Sequence, residues 1–512
     1  LGKRIVIEPV TRIQGFLKIE VEVEKDRVVN AWVSGTMARG FEVLFVGRHP
    51  EDVPFLASRV CGLCFSVHQY ASAKAIEDAF KLEIPEGARL MRNLMIASGF
   101  LSNHLMHFYQ MSLLDYIDVS KVLEYRGKDE ELLKIKDKFQ SLKESGDFYP
   151  FTSLYEPDDV SIRDSEIVTA LIYHYLKALK TQAIARNMGA LFGGRQPHYQ
   201  SIVVGGVTQL PDIDRISKFK AMLDEVGDFV RNIYIPDVLI LAAGPLLSFA
   251  QSGIGSGHEN YLSYGGFELD ESGDVKLFRQ GAILNGKLDR VSDFDPEKID
   301  ESTEFSWYRS PGAGEQREGS SIFNLQKDEA YSFVKAPRYE GKAVEVGPLA
   351  RLLIAREENL LKLINDRGLK VGAFLRHVAR ALEAGILVEQ MYVWLDELSE
   401  AMVRPGFKIH NERLSHLGEN AEGAAYLEGP QGALYHRIMV KDGKIDDYQI
   451  IDASTWNASP RDENGLRGQL EEALIGTPVP DADNPINVLR VVRSFNPCLA
   501  CAVHMLKIDS RK

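Results

Sequence analysis

Apolar and polar positions alternate over residues 4–8 and 16–23, and again over 28–33 after the polar turn 24–27. A period of two at these lengths predicts three strands of a small antiparallel sheet. Residues 11–15, Thr-Arg-Ile-Gln-Gly, are too polar for a buried strand and end on glycine, which predicts a turn that points Gln14 inward. The period then lengthens to three and four. Residues 66–80 predict a helix, and the run 86–119, with Leu90, Leu94, Leu101 and Leu105 and few charges, predicts a long buried helix of a bundle. Helical spacing returns over 162–188, ending at Gly193-Gly194, and over 212–231, 346–365 and 372–400. Residues 126–158 are charged and irregular and read as a surface excursion. Residues 252–345, rich in Gly, Ser, Asp and aromatics, read as loops and short strands inserted on one surface. Residues 425–427, 432–440 and 448–451 predict a β-meander. A helix over 468–475, a Pro-rich connector over 477–485 and the segment 486–494 follow.

The fold class this predicts is α+β and mainly helical, a large bundle flanked by small antiparallel sheets from both chain ends. We expect one domain over 1–512. Its parts would be a β segment at 1–35, a helical core at 60–250 and 346–402, the loop-rich insertion at 252–345, and a β-meander with a closing segment at 425–504. A chain of 512 residues exceeds the size at which one core stops growing, so lobes or a packed partner are expected. Apolar content of 45% with no run near the roughly 18 apolar residues of a membrane span reads as a soluble protein with no transmembrane segment of its own. A net charge of -13 with no long basic stripe argues against nucleic acid as a partner. Residues 1–7 lack the apolar core of a secretory signal, so export, if it occurs, is expected to depend on another subunit.

Chemistry enters with the cysteines. All four lie in two CxxC pairs, Cys61/Cys64 and Cys498/Cys501. One CxxC alone reads as a redox dithiol, a buried pair or a metal half-site. Two pairs that exhaust the cysteines favour a metal, with zinc, iron-sulfur and thiolate-bound nickel all open on ligand type. Zinc ribbons place their halves about 15 to 20 residues apart. Here more than four hundred residues separate them, which implies a site closed across a large fold. Cys61 and Cys64 precede a predicted helix, whose N-terminus favours thiolate over thiol.

Further residues carry a resemblance. Arg59, Cys61, Gly62, Cys64 and His68 match RxCGxCxxxH, and Pro497, Cys498, Cys501 and His504 match PCxxCxxH. Pro9-Val-Thr-Arg-Ile13, Phe192-Gly-Gly-Arg-Gln-Pro-His198, Arg376-His377, Ser454-Thr-Trp-Asn457 and Gly476-Thr-Pro478 stand between in order. The chain resembles the large, catalytic subunit of nickel-iron hydrogenases, oxidoreductases that reversibly split dihydrogen into protons and electrons. The resemblance implies four thiolates on nickel, with Cys61 and Cys498 terminal and Cys64 and Cys501 bridging to an iron that carries carbon monoxide and cyanide. Pro430 and Ser454 would contact this cofactor. It implies a magnesium site from Glu42, His504 and the carbonyl of Ile450, although Glu42 read alone is a surface carboxylate. It implies that Cys498 receives the proton of heterolysis. With no cysteine left for a relay, electrons would pass to an iron-sulfur small subunit, in a dimer of heterodimers assembled with maturation proteins.

The chain departs from its relatives around that centre. Gln14 and Asn103 stand where the family usually has glutamate and aspartate, Asn496 where it has aspartate, and Gln431 where it has arginine. Amides hydrogen-bond like carboxylates but do not titrate near neutral pH. The local charge changes from roughly -2 to 0. Two readings follow. In one, a hydrogenase moves protons by His68, His104 or ordered water. In the other, the cofactor serves a different redox or sensing role. A scaffold subunit with structural zinc is the non-enzyme alternative. Residues 505–512 follow the position at which relatives are cleaved in maturation, so the tail is either removed or retained.

Overall fold

The structure, a computed structural model, describes residues 2–152, 155–309, 323–411 and 420–502. Its first sheet is Lys3–Ile7, Leu17–Glu24 and Arg27–Gly35, antiparallel and in sequence order. Leu17, Ile19 and Val21 are buried, while the residues between them are half-buried, so the alternation in sequence is an alternation in burial. A second meander, Ala421–Gly429, Gly432–Lys441 and Lys444–Ile451, pairs the same way near the other end. Between the sheets lie three long helices, Glu86–Met106, Ser165–Gly193 and Ala373–Ala401, the first packed against both others. One apolar core runs from Leu17 and Val33 through these helices to Val488 and Leu499. The α+β architecture is the expected one. No helix among the described residues is long and apolar enough to cross a membrane.

Several elements differ from expectation. The stretch read as an irregular excursion contains the helix Glu130–Ser145. Asp129 accepts the Glu131 and Leu132 N–H groups at its start, left-handed Gly146 ends it, and within it only Ile135 and Phe139 are buried. Two apolar residues four apart anchor one turn-repeat, too narrow a stripe to stand out among so many charges. The single helix expected over 86–119 stops at Met106, widens into a π turn over His107–Ser112 and tightens into a 3-10 turn over Leu113–Asp115. The helix expected over 346–365 is two, Pro348–Ile354 and Glu358–Arg367, because Arg356 adopts φ 56° and Glu357 caps the second by accepting the Leu360 N–H. Helix Ile213–Phe229 runs on through a π turn into Ile235–Ala243. Within 252–345, strand Tyr261–Glu268 is buried over most of its length, deeper than a surface insertion implies.

The last segments lock onto the first sheet through a buried carboxylate. Glu471, on helix Gln469–Leu474, accepts the Val33 N–H (3.0 Å), the Gly468 N–H (3.2 Å) and the Tyr331 hydroxyl (2.8 Å). Burial nevertheless dominates and pushes Glu471 up to about 7 from 4.5. A carboxyl whose folded pKa is raised contributes stability that is complete below the unfolded value and lost as pH rises through the folded value. The thermal midpoint should therefore fall between pH 5 and 8, by an amount equivalent to about 3 kcal/mol. Glu471→Gln should flatten that slope in calorimetric scans across this range, whatever its effect at a single pH.

Candidate metal centre

Both half-sites are made by local backbone geometry. Cys64 is the N-cap position of helix Phe65–Ala79, so the turn before it is pinned to a helix start. Within that turn the Leu63 and Cys64 N–H groups donate to Cys61 Sγ at 3.3 and 3.2 Å, favouring a thiolate there. The second CxxC follows helix Ile486–Ser494 and a left-handed Asn496. Its Cys498 N–H donates to Ser454 Oγ at 2.8 Å, and the Cys501 N–H to the Cys498 carbonyl at 2.9 Å.

The halves meet because residues 11–15 lie alongside the chain's last described segment. Gln14 pairs in parallel with Cys498: its N–H donates to the Pro497 carbonyl (3.4 Å), and its carbonyl accepts the Leu499 N–H (2.7 Å). Gly15 makes this approach possible. It has φ +89°, and a Cβ there would stand 2.5 Å from the Ala500 nitrogen. Arg39 then ties both halves together, donating to the carbonyls of Arg59 (3.2 Å) and Val60 on one side and of Ala500 (3.0 Å) on the other. Sequence reasoning missed Arg39 in this role, since a lone arginine is exposed by default.

The result is a buried cluster of four thiols, all free and all within 4.8 Å of one another. Cys61 and Cys498 sulfurs are 3.4 Å apart, Cys498 and Cys501 2.9 Å, Cys501 and Cys64 3.9 Å. A disulfide would need about 2.05 Å. Four thiolates about 2.3 Å from one ion would stand about 3.8 Å apart, so the donor set fits a thiophilic metal. The thiols also oppose one another's ionisation. Hydrogen bonds from Cys498, then Cys501 and Cys64, hold Cys61 well below its ordinary range. Burial, with the neighbouring Cys498, pushes Cys501 well up. Without a cation the cluster favours one anion; with one, all four sulfurs become ligands.

Buried amides adjoin the cysteines, one at a sulfur and one two residues before Cys498. Gln431 Oε1 lies 3.1 Å from Cys64 Sγ, while its buried Nε2 has no hydrogen-bond partner. Asn496 Nδ2 donates to Asn103 Oδ1 at 2.7 Å, both side chains buried, and Asn103 Nδ2 is likewise unpartnered. His68 Nδ1 is 3.0 Å from His436 Nε2, and His436 Nδ1 is 2.7 Å from the Tyr448 hydroxyl. His104 Nε2 is 2.8 Å from Glu383, and burial holds its pKa below the usual value. Pro430 turns its carbonyl towards Arg351 (3.4 Å). Glu42 is buried, contrary to a surface carboxylate, and accepts the Ile450 N–H at 2.8 Å. His504 and the tail 505–512 lie outside the described residues.

Comparison with known proteins gives consistent matches. The family described as nickel-dependent hydrogenase matches residues 39–504. The periplasmic [NiFeSe] hydrogenase large subunit of Desulfomicrobium baculatum is 38% identical over 99% of this chain and 96% of its own length. The hydrogenase-2 large chain of Escherichia coli K12 is 32% identical over 100% and 99%. Among solved structures, the Ni-Fe-Se hydrogenase of D. vulgaris Hildenborough in the reduced state superposes with a TM-score of 0.85 at 36% identity, over 98% of this chain and 100% of that one. The four clustered positions here are all cysteine.

Gly15→Ala alters no donor atom but forces the Gln14 and Ala500 backbones apart. Nickel per chain, measured by plasma mass spectrometry on purified protein, should fall as it does on losing an orienting neighbour, with affinity down about 10- to 100-fold. Cys61→Ser should lose nickel outright.

Proposed function

The chain belongs to the nickel-dependent hydrogenases as a large subunit, and from that membership we propose a specific arrangement of its centre and partners. Cys61 and Cys498 are terminal ligands of nickel, and Cys64 and Cys501 bridge to an iron that carries carbon monoxide and cyanide. Pro430 and Ser454 contact the cofactor. The observation that supports this most is the buried set of four sulfurs within 4.8 Å. Glu42, held against Ile450, supplies one carboxylate for magnesium, with the Ile450 carbonyl and His504 as the remaining protein ligands. Electrons leave to an iron-sulfur small subunit, since all four cysteines of this chain are taken. The heterodimer pairs with a second copy, and maturation proteins build its centre.

Bound in this cluster, nickel and iron supply the Lewis acid and the electron acceptor for dihydrogen heterolysis. The protein's own task is the proton. Cys498 is the base: its sulfur is buried, and its backbone is fixed on both sides by Ser454 and Gln14. Gln14, Asn103, Asn496 and Gln431 are amides and take up no proton near neutral pH. Protons therefore leave by ordered water or by His68, whose ring continues to His436 and Tyr448. His104 is the weaker candidate because burial keeps it neutral and Glu383 holds its Nε2. The same absence of titratable groups supports the second reading, a loaded centre used for sensing or another redox step.

The test is metal content, infrared spectra and hydrogen turnover in wild type and Gln14→Glu. Equal nickel and iron with bands of bound carbon monoxide and cyanide are expected, with hydrogen-dependent dye reduction and hydrogen-deuterium exchange in both. Gln14→Glu should raise turnover by up to about 10² to 10⁴-fold, the usual contribution of one acid-base group. A fully loaded centre without exchange in either protein overturns the enzymatic reading and favours sensing. Zinc alone, at one per chain, overturns both in favour of a scaffold.

A further inference from the structure

A second buried cluster, centred on Arg351, holds the turn that carries Gln431. Arg351, on helix Pro348–Ile354, has no solvent exposure. Its Nε and Nη2 donate to the two oxygens of Glu383 at 2.8 and 2.6 Å. Its Nη1 donates to Glu428 Oε2 (2.6 Å) and the Gly429 carbonyl (3.0 Å), and Nη2 also reaches the Pro430 carbonyl (3.4 Å). All five N–H donors of the guanidinium are thereby matched. Two of the acceptors belong to the turn Pro430-Gln431 and the residue before it, in a hairpin closed by Gly429 opposite Gly432. Glu383 Oε1, which accepts from Arg351 Nη2, is also 2.8 Å from His104 Nε2, and His104 follows Asn103 on the helix that meets Asn496.

The turn is also held from the other direction. Gly347 has φ +129°, and a Cβ there would stand 2.7 Å from the Gln431 carbonyl oxygen. The hairpin tip is therefore seated between the Gly347 backbone and the Arg351 guanidinium, and the Gln431 side chain projects from it onto Cys64. Leaving a buried charge without its partner typically costs several kcal/mol, so such a cluster has one arrangement. Salt bridges of this kind can be replaced by apolar packing without loss of stability. A structural role alone does not explain why this one grips the consecutive carbonyls of Gly429 and Pro430, at the entry to the turn.

We propose that Arg351, backed by Glu383, is a positioning residue that fixes the Gln431 carboxamide against Cys64. This rests on the nickel-iron reading above. A thiol at Cys64 can donate to Oε1, but a metal-bound thiolate has no proton to give. Half a turn of the amide then presents Nε2, now unpartnered, to the sulfur as an N–H···S hydrogen bond. That bond withdraws electron density from the bridging sulfur, so Arg351 tunes the centre through a residue that does not titrate.

The test is a double-mutant cycle in the loaded complex, read by infrared spectroscopy and by the structure of each variant. Gln431→Leu removes the N–H···S bond, leaves the sulfur more electron-rich and should move the carbon monoxide band to lower frequency. Arg351→Lys, which loses the planar fork, should move it the same way, withdraw the Gln431 amide beyond hydrogen-bond distance of Cys64, and add nothing when combined with Gln431→Leu. Should Arg351→Lys fail to fold, Gly347→Ala displaces the same turn with the ion cluster intact and should shift the band alike. Additive shifts, or an unmoved band with Gln431 still on Cys64, overturn the proposal. If wild type shows no diatomic bands at all, the nickel-iron reading fails, and the Gln431 position in the variant structures still decides the role of Arg351.

Discussion

Four buried sulfurs that cannot all ionise alone are the constraint on which this structure depends. Cys61 holds a low pKa at the expense of its neighbours, and Cys501 is driven up beside it. With all four sulfurs ionised, such a cluster needs a cation to balance it. The fold holds the sulfurs together by a parallel pairing of Gln14 with Cys498 and by Arg39 across both half-sites. Neither device uses the cysteine side chains, so the backbone carries the geometry and leaves the sulfurs free to bind.

Around the centre the same solution recurs, with buried arginines joining segments far apart in sequence. Asp115, brought into place after the π turn that ends the long helix, takes both Arg12 and Arg493, one from each end of the chain. Arg376 is paired with Glu345 and lies over the Phe495 ring, 3.6 Å from its centroid, just ahead of the second CxxC. Arg351 holds the hairpin of Gln431. Such pairs add little net stability but penalise every alternative in which one partner is left alone. Here two of them meet at the segment just ahead of the second CxxC, through Arg493 and Phe495.

The chemical character of the pocket follows from what these supports hold. Gln431 and the Asn103–Asn496 pair give hydrogen-bonding side chains at the sulfurs and next to them in sequence, without charge. Gln431 keeps an unpartnered Nε2 on the amide that touches Cys64, and the Asn103 Nδ2 is likewise unpartnered. An uncharged amide so placed can hydrogen-bond a sulfur but does not take up a proton near neutral pH.

Much of this was legible in the sequence. The two strand meanders, the long helices and the N-cap position of Cys64 follow from side-chain period and turn chemistry, which act over a few residues. The cysteine inventory and its flanking phrases were enough to name the family, and the four cysteines they single out do stand together. The helix Glu130–Ser145 was hidden because two buried residues are too few to make a pattern, and the break at Arg356 because a left-handed arginine has no local signature. Whether sulfurs 437 positions apart would stand 3.4 Å from each other could not be read from either neighbourhood. Nor could the burial of Glu42, the bridge made by Arg39, or the grip of Arg351 on the Gln431 turn. Those depend on which surfaces of the finished core meet, and a charged residue looks the same in sequence whether it faces water or a carboxylate in the interior.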